Sequence, residues 1–444
     1  MSGDGASRVR WVLVFWLFVL SGISYLDRVN ISIAGSSLAE EYHLSQVRLG
    51  WVFTAFLLGY ALFQTPGGWL VDRFGPRRVL TVGVVWWGIF TALTASLPTT
   101  VWGAVVFFIL VRFLLGAGEA IIYPSSNQFV SQWVPSQERG KANGLIFAGV
   151  GAGAGIAPVV VSYLMIHYGW RSSFWVSAFV GLLAGIVWYL IARDKPERHP
   201  SVNASELSLI QNNRGPATPA RSSAENLGVK GEVSSAPIIS WSSILTSKSI
   251  LAVTASYFCF GYVAWIFFSW FYIYLAKVRG MDLKASALYS TLPPLAMVAC
   301  SLSGGAINDA LSRAYSKRVG RCGVGFLALL LAAAFLVLGS RATSASVASI
   351  VLSGGAGALY LAQSSYWSIT ADLAGDSAGS ASGFMNMGGQ FGGALTASLT
   401  PAIAQQYGWT SSFLVAALLS VAGAIAWLLV DPGCRLIPTA KLPS

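Results

Sequence analysis

The chain has 444 residues, of which 55% are hydrophobic and only 10% charged. A soluble domain carries about 25% charged residues, so a soluble enzyme or binding module is excluded. The formal net charge of +11 does not mark a nucleic-acid binder, because the basic residues fall between apolar runs and form no continuous face.

The N-terminus, MSGDGASRVRW, places two arginines before the first apolar run. That run is too long for the apolar region of a signal peptide and no small-residue cleavage site follows, so it reads as an uncleaved first helix. Spans are predicted at 11–34, 47–71, 79–97, 101–128, 141–166 and 173–192, then at 250–276, 286–308, 322–340, 344–368, 378–405 and 411–430. Each is long enough for a hydrocarbon core of about 30 Å at a rise of about 1.5 Å per residue. Between the two sets lies a stretch rich in Ser, Pro, Ala and Gly, including NNRGPATPARSSAENLGVKGEVSSAP. It reads as a polar linker, mostly disordered. The organisation predicted is a six-helix bundle over 1–192, a linker over 193–248 and a second six-helix bundle over 249–444.

The halves repeat. YGWRSSF (Tyr168 to Phe174) matches YGWTSSF (Tyr407 to Phe413) at an offset of 239 residues, where GKANGLIFAG also meets GSASGFMNMG. Near an offset of 237, GGWLVDRFG echoes GGAINDALS. Six helices separate the copies, so both have the same topology. The fold class predicted is an all-α membrane protein with twelve transmembrane helices in two parallel-repeat bundles, the arrangement of a rocking carrier. Of the 28 Lys and Arg, two (Arg28 and Arg112) lie in the interior of the predicted spans. Six (Arg48, Arg171, Lys277, Arg279, Lys284 and Arg341) lie on one side of the membrane, and the other 20 on the side of both termini and the linker. The positive-inside rule puts that side in the cytoplasm. The external loops carry no N-x-S/T acceptor, which suits a bacterial inner membrane.

Away from their ends, the predicted spans hold four ionisable charges, Asp27, Arg28, Arg112 and Glu119, all in the first half. The 239-residue offset sets Val351 opposite Arg112 and Ala358 opposite Glu119, so the duplicated scaffold does not need these charges to fold. A charge at mid-bilayer costs about 2.5–3.5 kcal/mol on insertion scales. Adjacent Asp27 and Arg28 point about 100° apart. Arg112 and Glu119 share a face but stand about 10.5 Å apart along the axis. Partners therefore come from other helices, from water or from a ligand. An arginine fork matches a carboxylate, making Arg28 and Arg112 candidate anion clamps. Asp27 and Glu119 are the candidate proton carriers, since no histidine falls in a span. The plain alternative is that the charges tie the first helix to the fourth, and a pair broken and remade during transport would serve both purposes.

Tyr25, Tyr60, Tyr123 and Trp367 are candidates to line a cavity, although aromatic residues in spans are more often packing or belt residues. Asn386 and Gln390, four apart in the eleventh span, either bind ligand or bond another helix. In the turn after the second span, Asp72 suits a gate latch beside Arg73, Arg77 and Arg78, which could equally be topology signals. GVGAGAGIAP and MGGQFGGAL read as close helix packing, not as phosphate loops. The four cysteines are scattered, with no metal spacing. No cofactor or metal is expected. Nor is an enzyme, since no nucleophile–base pair is visible.

GGWLVDRFGPRR (Gly67 to Arg78) resembles the loop signature of the major facilitator superfamily. SYLDRVN (Ser24 to Asn30) and RFLLGAGEAIIYPSSNQFVSQWVPSQERG (Arg112 to Gly140) resemble its anion:cation symporter family, most clearly over residues 20–150. That resemblance implies proton carriage by Asp27 and Glu119, and carboxylate binding by Arg28 and Arg112. It further implies substrate contacts from Tyr25 and Tyr60, with Ser364, Trp367 and Asn386 holding hydroxyls. The chain departs from some members at Val150, where they have Gln, and at Tyr257, Tyr262 and Trp265, where they have amides. The function expected is import of an organic anion with protons by a monomeric carrier. A sugar acid such as an aldonate, hexuronate or glucarate is the expected substrate. A proton-independent exchanger or an aromatic-acid carrier is the alternative, and a membrane sensor would need a signalling domain that the linker is too short to supply.

Overall fold

The computed structural model describes residues 5–97, 103–212 and 240–436. Eleven described segments are long and apolar enough to cross a membrane. One of them, Ala345–Tyr407, is two helices joined at Gly375–Ser377, which makes twelve spans. In chain order the first half holds α1 (Val9–Glu41), α2 (Gln46–Phe74), α3 (Pro76–Ser96), α4 (Ala104–Glu119) with α5 (Ile122–Trp133), α6 (Arg139–Tyr168) and α7 (Trp170–Ile191). The second holds α8 (Lys248–Ser269), α9 (Leu292–Ala314), α10 (Val324–Arg341), α11 (Ala345–Ala374), α12 (Ala378–Tyr407) and α13 (Trp409–Leu428).

The fourth span is broken. Its predicted start at 101 lies outside the described residues, and its helix parts at Ala120–Ile121. Pro124, four residues after Ala120, has no N–H to donate to the Ala120 carbonyl. The break leaves Glu119 at the C-terminal end of α4.

The sequence repeat is a packing repeat. In the first half α1 packs on α6, α2 on α4 and α3 on α7; in the second α8 packs on α12, α9 on α11 and α10 on α13. The matching YGW segments form the same corner: Gly169 has φ 80° and Gly408 φ 82°, a region that favours glycine. The glycine-rich runs are close helix contacts. A Cβ on Gly153 would come within 2.1 Å of the Gly22 carbonyl, and one on Gly261 within 2.0 Å of the Gly389 carbonyl. Between halves the main contacts are α2 on α12 and α6 on α9, one pairing used twice.

Two expectations need correction. The linker is not structureless from its start: Pro196–Arg198 is a 3₁₀ turn and Ala204–Asn212 a helix. Buried Glu206 accepts from Ser7 Oγ (2.6 Å), the amides of Val9 and Arg10, and Arg10 Nη1 (2.8 Å), so it caps the N-terminus of α1. Residues 213–239, the Ser- and Pro-rich remainder, lie outside the described residues. Nor are the buried charges only four. The helices outrun their apolar windows, and the meeting of the halves buries Arg139, Asp309, Arg321 and Asp372 as well.

On the face opposite the chain ends, beyond the span that closes at Gly35, Glu41 ties α1 to α7. Arg171 Nη1 lies 2.7 Å from each carboxylate oxygen, and Trp170 Nε1 donates at 2.6 Å. Partial burial resists ionisation. The hydrogen bonds from Trp170 and Arg171, with the charge of Arg171, outweigh it and hold the carboxyl below its ordinary 4.5. A depressed folded value stabilises the fold above the ordinary value, and that stability is lost as pH falls through the depressed one. The melting temperature in detergent is therefore expected to fall more steeply below about pH 5 for the wild type than for Glu41→Gln. Parallel curves would remove this contribution.

Candidate functional site

The four intramembrane charges of the first half converge from two helices, α1 and α4, against side chains of α2 and α3. On α1, Tyr25 and Arg28 are three residues apart and share a face. The Arg28 guanidinium lies 4.7 Å from the Tyr25 ring centre and 4.1 Å from that of Tyr60 on α2. Its Nε donates to Glu119 Oε1 at 2.6 Å, and Ser24 Oγ donates to the same oxygen. The ion pair runs across helices, as the axial spacing of Arg112 and Glu119 requires. Asp27 turns toward α3, where its Oδ2 accepts from Trp87 Nε1 (3.0 Å) and Thr91 Oγ1 (2.9 Å). Arg112 stacks on Phe56, its guanidinium 4.7 Å from the ring centre, while Arg28 approaches the same ring at 5.5 Å. Two guanidiniums thus share one aromatic ring, with Asp27 and Glu119 both in electrostatic reach of Arg112.

The cluster holds unused bonding capacity of both kinds. Among the described residues, Arg28 Nη2 and Arg112 Nε and Nη1 have no hydrogen-bond partner, and neither do Asp27 Oδ1 and Glu119 Oε2. Formally the cluster is neutral while both carboxyls are ionised. Each proton it takes up adds one positive charge.

A cavity lies between the halves beside this cluster. From the first half it is lined by Tyr25, Tyr60, Tyr123, Phe147 and Val150; from the second by Tyr257, Phe260, Trp265, Phe268 and Tyr360, with Gln363, Asn386 and Gln390 among its amides. The charges are not themselves in this wall. They sit one layer behind it, Arg28 under Tyr25 and Tyr60, its side chain 8% exposed against 0% for Glu119. The rings of Tyr25 and Tyr60 stack on the Arg28 guanidinium and stand between it and the cavity.

The other expected residues divide. Tyr25, Tyr60, Tyr123, Asn386 and Gln390 line the cavity. Trp367 packs behind it on Phe147 and Tyr123, and Ser364 is fully buried. Of the residues at which the chain departs from its resemblance, Val150, Tyr257 and Trp265 line the cavity. Tyr262 faces Thr400 instead. Gln363 was not singled out by sequence; its Nε2 donates to Tyr257 Oη at 3.0 Å.

On the face of the chain ends, the basic face, the halves are locked. Asp72 accepts from the Gly379 amide (2.9 Å), the Ser380 amide (2.8 Å) and Ser380 Oγ, capping α12 of the other half. Asp309, at the end of α9, accepts from the Gly140 (2.8 Å) and Lys141 (2.7 Å) amides and caps α6. These are the two copies of one device, a carboxylate at a helix N-terminus. The 237-residue echo of Asp72 in Asp309 was the signal that could have found it. Between them Asp372 takes Arg139 (2.7 Å), Lys317 (3.2 Å) and Arg321 (3.4 Å). Arg73 and Arg77 do not join Asp72 at this lock. Arg73 stacks on Trp69 and Phe74, and Arg77 donates to the Tyr189 carbonyl, contacts inside the first half.

Known proteins resemble the chain along most of its length. Residues 17–397 match the Major Facilitator Superfamily, with a second match over 316–441. The chain is 32% identical over 427 residues to the probable sulfoacetate transporter SauU of Cupriavidus necator, covering 96% of this chain and 94% of that protein. It is 32% identical over 307 residues to the probable galactarate/D-glucarate transporter GudP of Bacillus subtilis, covering 69% and 66%. Among solved structures, the proton:xylose symporter XylE superposes with a TM-score of 0.73 at 15% identity, covering 96% of this chain and 98% of that one. The Escherichia coli fucose:proton symporter FucP gives 0.67, also at 15%, covering 95% and 98%. These structures establish the fold.

Proposed function

Because the chain belongs to the major facilitator superfamily, we propose that it imports an organic anion together with protons by alternating access. The observation that carries this reading is the Arg28–Glu119 pair, set between unpartnered donors on both arginines and unpartnered acceptors on both carboxyls. With Asp27 and Glu119 ionised, the arginines are already neutralised. Protonation of Glu119 releases Arg28 Nε and leaves a net positive cluster, which then draws a carboxylate from the cavity past Tyr25 and Tyr60. Loss of the protons on the other side restores the internal pair and expels the anion. By reciprocity, protons tighten anion binding by the same factor as the anion tightens proton binding.

Charge asymmetry supports placing the basic face, with both termini, in the cytoplasm of a bacterial inner membrane. The lock of Asp72 and Asp309 then closes the cytoplasmic side while the cavity receives substrate. Each net positive charge carried inward gains about 2.3 kcal/mol per 100 mV. Two protons with one monovalent anion are therefore voltage-driven, and one with one is electroneutral.

The substrate class we propose is a hydroxylated acid: an aldonate, hexuronate or glucarate. Gln363, Asn386, Gln390 and the tyrosines of the cavity wall supply donors and acceptors for hydroxyls, and the related GudP is named for galactarate and D-glucarate. A second reading, a small acid without such hydroxyls, is favoured by Val150, Phe147, Phe260, Trp265 and Phe268 in the same wall and by the naming of SauU for sulfoacetate. A thermal-shift screen of the purified carrier against D-glucarate, D-galacturonate, sulfoacetate and benzoate separates them, since a ligand stabilises the state it binds.

Glu119→Gln mimics the protonated carboxyl permanently. In proteoliposomes it is expected to keep substrate binding and exchange but to lose accumulation against a gradient. If this variant still concentrates substrate, Glu119 is not the coupling carboxyl.

A further inference from the structure

Between the aromatic cavity and the lock on the basic face lies a layer that neither explains. On α2, Tyr60, Gln64 and Gly68 follow at four-residue spacing and share one helix face. Tyr60 lines the cavity. Gly68 is at the lock: a Cβ there would come within 2.2 Å of the Gly379 carbonyl. Gln64 lies between them, 0% exposed, and neither its Oε1 nor its Nε2 has a hydrogen-bond partner. Its backbone carbonyl faces Gly383 of α12, where a Cβ would approach to 2.4 Å. One turn along α12 toward the cavity is Asn386, 3% exposed, whose Nδ2 is also unpartnered. Nearer the lock, Asn127 of α5 donates across the halves to Thr370 Oγ1 at 3.0 Å and leaves its own Oδ1 unpartnered.

A fully buried amide with both ends unpaired destabilises the conformation that contains it. The layer costs stability while the lock is closed, and it sits in the seam between α2 and α12 that must part for the basic face to open. We infer that Gln64 is a release-side binding residue. When the seam parts, its amide takes a carboxylate or hydroxyl oxygen of the outgoing anion, between Asn386 on the cavity side and Asn127 on the lock side. The inference rests on the transport reading above and adds to it a second polar station, outside the arginine cluster and used from one face only.

The test compares D-glucarate, D-galacturonate and sulfoacetate uptake in right-side-out and inverted membrane vesicles, for the wild type, Gln64→Leu and the near-isosteric Gln64→Met. For whichever of these acids the wild type carries, both variants are expected to raise KM at the basic face about tenfold. KM at the opposite face should stay within about twofold of wild type. The melting temperature should hold or rise, because an unpaired buried amide is replaced by an apolar group. A shift of equal size from both faces, or none from either, overturns the inference and makes Gln64 a packing residue. Transport of none of the three acids by the wild type would instead defeat the substrate reading, and the inference with it.

Discussion

Replacement of Arg112 by alanine is expected to weaken organic-anion binding by on the order of 100-fold or more, measured by calorimetry on the purified carrier. Arg112 is 2% exposed and stacked on Phe56, and its Nε and Nη1 are unpartnered. Arg28 is engaged by Glu119 at 2.6 Å, and the proposed mechanism frees it on protonation. In the proposed mechanism Arg112 is therefore the cation that remains available in either protonation state. Truncating one member of a buried, hydrogen-bonded charge pair costs about 2–5 kcal/mol, and each 1.4 kcal/mol or so is a factor of ten. Arg112→Lys keeps the charge but loses the planar fork, so its binding should fall between the two. Binding by Arg112→Ala within about threefold of wild type would remove Arg112 from the anion site.

The second large effect is expected at the lock. Arg321 is 0% exposed and joins both halves. Its Nη1 meets Asp309 Oδ1 at 2.9 Å and also Asn308 Oδ1; its Nε meets Asp372 Oδ2 at 3.4 Å; its Nη2 donates to the Ser136 carbonyl of the first half. Arg321→Leu leaves two buried carboxylates with less counter-charge. Breaking a buried pair by removing one partner costs about 3–5 kcal/mol, so the variant should melt well below wild type in detergent. A cysteine at the lock should also become reactive from the basic face more often, because the contact with Ser136 holds the halves together there. Asp372 keeps Arg139 and Lys317, so the deficit falls chiefly on Asp309. Melting within about a degree of wild type would show that the network contributes nothing net, as some buried ion pairs do not.

The architecture was legible because the bilayer leaves so few choices. Long apolar runs must become helices, since no water is there to satisfy a bare backbone. The YGW repeat located the matching corners at Gly169 and Gly408, and the glycine runs located the close helix contacts. The charges of SYLDRVN and RFLLGAGE stood out for the same reason: an ionised group amid hydrocarbon is costly and must have an occupation. The lock was harder to see. Asp309, Arg321 and Asp372 lie at the ends of apolar windows, where a charge looks solvated, and only the meeting of α6 with α9 and of α2 with α12 buries them. The linker helix was missed because Ala204–Asn212 is short and polar; its order comes from Glu206 reaching Ser7 and Arg10, some 196 residues away in the chain.

By itself the sequence determined the class of fold, the twelve spans, the two-fold repeat and the four charges set within the apolar runs of the first half, because those follow from local hydropathy and from residue types. Tertiary structure alone decided who pairs with whom: that Arg28 binds Glu119 and not Asp27, that Arg112 shares the Phe56 ring, and that Gln64 stands unpaired in the seam. Pairing across helices depends on rotation and crossing of rods set by the packing of both halves at once, and no spacing along one strand of sequence encodes that.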